Sequence, residues 1–171
     1  MLSHAINRVS AACSGAGMAI AALLLVYIVV HIILEIVLRN FFASSTNTMG
    51  EFVGYATGAM AFLALGHTFA NRKHVRVSLL RRHLRGNAAI AVELFCLAAT
   101  FAVFAFMARF VWLILARDYM RGSVSPGLVP TPTWYIAAAI FAGLVIFLIQ
   151  LVASAFDTVL NGVPEEQIEG E

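Results

Sequence analysis

The sequence predicts an all-α integral membrane protein of four transmembrane helices, with its N-terminus and its C-terminus both cytoplasmic. Three observations predict it. Of the 171 residues, 61% are hydrophobic and only 12% are charged, against about 45–50% and about 25% in soluble domains. The mean hydropathy is +0.90, and a soluble fold this small would have too few charges to clothe its surface. The apolar residues also fall into four runs joined by short polar connections, each long enough to approach or exceed the roughly 20 residues that cross a bilayer.

The predicted domains are a cytoplasmic N-terminal segment at 1–14, a membrane domain at 15–157 and an acidic cytoplasmic tail at 158–171. The first span is expected at 15–38. Arg8 precedes an apolar run of about two dozen residues, longer than the about 7–15 residues of a cleaved signal, so this run is expected to stay and to span. The second span, 50–70, is the least apolar, with Glu51 near its start and His67 near its end. The third, 88–116, carries Glu93 and Arg109, each one to two turns from an end. The loop after it holds three prolines, which rules out a regular helix there. The fourth, 134–156, opens on Trp134 and Tyr135, residue types that favour the membrane–water interface.

Orientation follows from the lysines and arginines of short loops. Arg8 marks one side, together with Arg72, Lys73, Arg76, Arg81, Arg82 and Arg85 of the 71–86 loop. The opposite loops hold Arg39, Arg117 and Arg121. The six-cation loop is therefore expected in the cytoplasm, against anionic lipid headgroups. Pinned between two spans, it is not expected to bind nucleic acid.

Several constellations could carry function. Gly50, Gly54 and Gly58 recur every four residues on one face of the second span. A face without side chains lets another helix approach closely, either within the bundle or from a partner subunit. His31, Glu35 and Arg39 form an i, i+4, i+8 stripe with the favourable glutamate-before-arginine order. It reads either as a structural or assembly feature, its charges reaching the interface, or as part of an ion or proton path. The roles of Glu93 and Arg109 stay open, pairing with a partner subunit among them.

The sequence also sets bounds on chemistry. His31 and His67 are the histidines within spans, and their depths differ by roughly 20 Å at about 1.5 Å per residue. No haem bridges that distance, and no cofactor is expected. Cys13 and Cys96 lie far apart in apolar stretches and read as small packing residues. No catalytic motif is present, so an enzyme is not expected. The fourth span offers only Gln150 and Ser154 as sizeable polar groups, too few for a conducting row.

Three local patterns carry a family resemblance. Arg39-Asn40-Phe41-Phe42 closes the first span, and a polar turn leads to Glu51. Leu65-Gly66 runs into Asn71-Arg72-Lys73-His74-Val75-Arg76-Val77. Ser125-Pro126-Gly127-Leu128-Val129-Pro130 leads into Trp134-Tyr135. In this order and spacing, over about 18–156, the chain resembles the small permease subunit of tripartite ATP-independent periplasmic (TRAP) transporters. It departs from the family at Met49-Gly50, where a tryptophan often precedes the glutamate.

The resemblance implies a non-catalytic subunit of the bacterial inner membrane. It implies a sodium-coupled secondary transporter for carboxylate solutes, in which this chain packs as scaffold beside a large transmembrane transport subunit. A periplasmic solute-binding protein completes the system, and Arg39, Arg117 and Arg121 are candidate contacts to it. Gly50, Gly54 and Gly58 are candidates for subunit packing. The competing readings are a membrane anchor of a redox enzyme and a self-sufficient small transporter.

Overall fold

A computed structural model describes residues 2–70 and 87–161, with side chains placed for 10–70 and 90–159. The cations Arg72, Lys73, Arg76, Arg81, Arg82 and Arg85, the histidines His74 and His83, and residues 162–171 lie outside the described residues. The rest forms four helices: α1 (Leu2–Phe42), α2 (Met49–Ala70), α3 (Asn87–Arg121) and α4 (Trp134–Asn161). All four are long and apolar enough to cross a membrane, and no strand occurs among the described residues. The fold is that of an all-α membrane protein.

The helices outrun the spans read from the sequence. α1 is already helical at Leu2, within the segment expected to precede the membrane, and α4 continues to Asn161. Nothing between these points breaks a helix, since the prolines are confined to 126–132 and the tail. α3 has 35 residues, about 52 Å at 1.5 Å per residue, well beyond a hydrocarbon core of about 30 Å. It must tilt or project.

α4 is the central helix and packs on α1, α2 and α3, while α1 and α2 also pack on each other. The inward side of α1 explains its fit. Ser10, Ser14, Gly17, Ala21, Ile28 and Glu35 are buried there, with Leu24 and His31 half-buried between them. Those positions alternate by four and three residues, the heptad seam of left-handed helix packing. Small residues occupy its first half, so the backbones come close. A Cβ on Gly17 would lie 2.8 Å from the Leu63 carbonyl oxygen.

Two other glycines permit similar approaches. A Cβ on Gly143 would lie 2.6 Å from the Phe62 carbonyl carbon, and one on Gly66 would lie 2.9 Å from Ile146. By contrast, a Cβ on Gly50, Gly54 or Gly58 would meet nothing within 4 Å. Close packing inside the bundle therefore uses Gly17, Gly66 and Gly143, and the four-residue glycine repeat lies off that seam.

Below these contacts, Leu97, Phe147 and Leu151 form a core with Leu65, Phe69 and Phe104 packed around it. The Phe147 ring meets Phe69 at 5.6 Å and Phe104 at 4.6 Å, both edge-on, the arrangement that ring quadrupoles favour. Three ring pairs fix the antiparallel register of α3 on α4: Phe104 with Phe147, Trp112 with Phe141, and Tyr119 with Trp134. The outer faces of α1 and α3 expose large apolar side chains, among them Leu23, Val26, Val30, Phe95, Phe106 and Leu113. Contiguous apolar exposure on this scale suits lipid or a membrane partner.

Candidate functional site

Two buried polar side chains, Glu35 and Ser125, lie at the end where α1 turns into α2 and the 122–133 loop joins α3 to α4. Two carboxylates organise that end. Glu35 sits two turns before the end of α1 and is 2% exposed. It accepts the Arg39 Nε–H at 2.9 Å, the Thr46 backbone N–H at 3.1 Å and the Thr46 hydroxyl at 2.6 Å. It also accepts the Ser45 hydroxyl. The i, i+4 pair with Arg39 expected from the sequence is present. The Glu35 side chain is itself buried. It folds onto the 43–48 turn, because that turn supplies the donors that a carboxylate at this depth requires.

The turn needs such an anchor. Ala43 and Asn47 both have positive φ, 45° and 52°, a conformation that costs an L-residue about 1–2 kcal/mol. Thr48 immediately precedes α2, its carbonyl accepting the Glu51 N–H at 3.2 Å and the Phe52 N–H at 3.1 Å.

Glu51 is the second organiser. It accepts the Tyr55 hydroxyl at 2.6 Å and the Ser125 hydroxyl. Ser125 is 4% exposed, and its Oγ accepts the Gly127 N–H at 3.2 Å. The loop reaches Glu51 because it is a short hairpin. Val124 and Pro132 form an antiparallel bridge, the Ser125 N–H donates to the Thr131 carbonyl at 2.8 Å, and the Thr133 N–H donates to the Ser123 carbonyl at 3.1 Å. Its tip passes so close to α2 that a Cβ on Gly127 would fall 1.8 Å from Glu51 Oε2.

The loop starts from a glycine-terminated helix. Gly122 has φ +60°. The Ser123 N–H donates to the Asp118 carbonyl at 3.0 Å, and the Gly122 N–H donates to the Tyr119 carbonyl at 3.4 Å. This is the Schellman arrangement. The Asp118 carboxylate then accepts the Thr133 hydroxyl at 2.9 Å and lies 3.4 Å from Arg117 Nε. Of the three arginines expected at this end, Arg39 and Arg117 pair with carboxylates, and all three are exposed.

At the other end, the buried Ser10 hydroxyl donates to the Gln150 side-chain oxygen, linking α1 to α4. Glu93 is half-buried on α3. Of the two cysteines, Cys13 is half-buried and Cys96 exposed. Cys96 points off the α3 seam that meets α4.

Two ionisable groups lie away from both ends. His31 Nε2 is buried and has no hydrogen-bond partner among the described residues, although its ring stands 5.5 Å from that of Tyr27. Arg109 is exposed. It falls between the Phe104–Phe147 and Trp112–Phe141 ring pairs, which sets it level with Gly143. Nine residues separate that level from Trp134, about 13 Å at 1.5 Å per residue. Arg109 thus lies well inside α3, which continues to Arg121. The helix itself runs past the span end expected at 116, and Tyr119 in its last turn meets Trp134. An arginine at the centre of a membrane helix costs about 2.5–3.5 kcal/mol on insertion scales.

A family model described as tripartite ATP-independent periplasmic transporters, DctQ component, matches residues 28–161. The chain belongs to this family. It is thus a TRAP transporter small membrane subunit, a multi-pass protein of the bacterial inner membrane. No curated protein and no solved structure matches it significantly. The DctQ match takes in Glu35, Glu51, Ser125 and Arg109, and so includes both polar clusters and the exposed arginine between the ring pairs. Ser45, Thr46, Tyr55, Asp118 and Gly127 escaped the reading of the sequence as parts of this site. The hydroxyl-rich Ser44-Ser45-Thr46 beside a span-end glutamate was the available signal for the first two. Nothing local announces that Glu51 and Ser125 meet.

Proposed function

We propose that this DctQ component is the non-catalytic scaffold of a sodium-coupled secondary transporter for carboxylate solutes. It packs beside the large transport subunit and carries no solute itself. The observation that supports this best is the placement of polar groups. The centre of the bundle is closed by Leu144, Phe147 and Leu151 on α4, while Glu35 and Glu51 are engaged in holding loops. A solute path requires polar groups in series across the membrane, and a scaffold requires tied loops and apolar outer faces.

In this reading the 43–48 and 122–133 connections face the periplasm, and both termini and the 71–86 loop face the cytoplasm. The excess of cations in that loop over the opposite connections supports this orientation. Arg39, Arg117 and Arg121 then steer an acidic surface of the solute-binding protein. Gly50, Gly54 and Gly58, with no internal neighbour, offer the large subunit a smooth strip on α2.

Reconstitution into liposomes tests the reading. The large subunit and this chain together, supplied with loaded binding protein, are expected to accumulate solute under an inward sodium gradient and to stop when potassium replaces sodium. Flux through this chain alone, or full uptake by the large subunit without it, would contradict the proposal.

A further inference from the structure

We infer that Arg109 is a docking charge: it receives a carboxylate carried at mid-membrane depth by a transmembrane segment of the large subunit, on the flank of α3 beside its seam with α4. The inference rests on the reading of this chain as a subunit beside that partner, and it names the face and the chemistry.

Three features converge. First, Arg109 has no hydrogen-bond or ion-pair partner among the described residues, and its side chain is exposed. Second, the ring pairs on either side of it set it level with Gly143, about 13 Å along α4 from Trp134 at 1.5 Å per residue. Snorkelling serves arginines near helix ends, and this one lies more than two turns inside the Trp134 belt. Third, its direction is fixed by the seam. Leu97 and Ala108 are buried on the α4 side, where Phe104 meets Phe147. Arg109 follows Phe104 by five residues, about 140° round the helix, and precedes Trp112, which meets Phe141, by three, about 60°, so it lies on the flank of the seam.

The surface around it suits a helix. Ala98, Ala102 and Ala105 precede Arg109 at spacings of four, three and four, and such small residues allow close backbone approach in lipid. At the foot of this face an apolar groove of about 490 Å³ opens between α3 and α4, with Ala98, Phe101, Leu151 and Phe156 on its walls. The partner's apolar side chains fit there, while its carboxylate meets the guanidinium, for which bidentate pairing is the preferred geometry. A second copy of this chain is the poorer occupant. A two-fold axis along the membrane normal would bring two Arg109 side chains to the same depth, setting like charges together.

Co-purification with the large subunit tests this, using the full chain in mild detergent. Arg109→Glu is expected to lower recovery of the large subunit at least about tenfold, a change of about 1.4 kcal/mol. Arg109→Lys, which keeps the charge, is expected to retain most of it, and a photo-cross-linking residue at Ala102 is expected to capture the large subunit. Should Arg109→Glu fail to accumulate, Ala102→Trp, which keeps the arginine but blocks approach, is expected to lower recovery as well. Equal recovery with Arg109→Glu, or with Ala102→Trp where that variant carries the test, would overturn the inference, as would cross-links only to lipid or only to a second copy. Failure of the wild-type chain to recover any large subunit would instead overturn the scaffold reading itself.

Discussion

The Ser125 hydroxyl donates to the Glu51 carboxylate, joining residues 74 positions apart in the chain. Through this contact the first turn of α2 holds the loop between α3 and α4, although α3 itself packs chiefly on α4. The loop is thereby fixed to the opposite side of the bundle from the helix that precedes it.

Breaking that link should free the loop without unfolding the helices. Ser125→Ala removes one donor and should cost about 1 kcal/mol. Gly127→Val should act more strongly on the loop, since its side chain would occupy the space of the Glu51 carboxylate. Limited proteolysis at 123–131 is expected to accelerate in both variants, while the helical circular dichroism stays unchanged.

Two glycines separate internal packing from partner packing. Gly143 faces the α2 backbone at Phe62 and Leu63, so Gly143→Ala must push two main chains apart and should destabilise the purified chain by about 1–3 kcal/mol. Gly54 faces no atom of its own chain. Gly54→Leu should leave the melting temperature of the isolated chain unchanged and lower recovery of the large subunit. A lowered melting temperature for Gly54→Leu would remove it from the partner face.

Composition and apolar runs were enough to read four spans, because in lipid a helix needs only length and apolarity to be recognised. The Glu35–Arg39 pair was equally legible, since i, i+4 spacing is local. The packing glycines were not. The repeat Gly50–Gly54–Gly58 is regular along one helix, whereas Gly17, Gly66 and Gly143 come from three helices and become a set only through the register of α1, α2 and α4. The level of Arg109 against α4 was not legible for a similar reason: it depends on where Tyr119 meets Trp134, a contact across the loop.

Capping at the end of α3 gives a local test. Gly122 holds φ +60°, where an L-residue is strained by about 1–2 kcal/mol. Gly122→Ala should lower thermal stability by about that amount, and Gly122→Asn should lower it less, since asparagine tolerates this region best after glycine. Equal effects of the two would show that the helix end had rearranged.

The 43–48 turn offers another. With Glu35→Ala, the Ser45 and Thr46 donors lose their acceptor, and the positive-φ residues Ala43 and Asn47 lose what holds them. A cysteine placed at Asn47 is expected to react faster with a membrane-impermeant maleimide in the Glu35→Ala background. Ala43→Gly should slow that reaction by removing the strain from one position.

The most direct test of the scaffold assignment is affinity purification of this chain from native membranes in mild detergent, with the co-purifying proteins identified and quantified. The expected result is one large multi-span membrane protein in equimolar amount, encoded beside a periplasmic binding protein. Recovery of the chain alone, or in company with a soluble oxidoreductase, would contradict it.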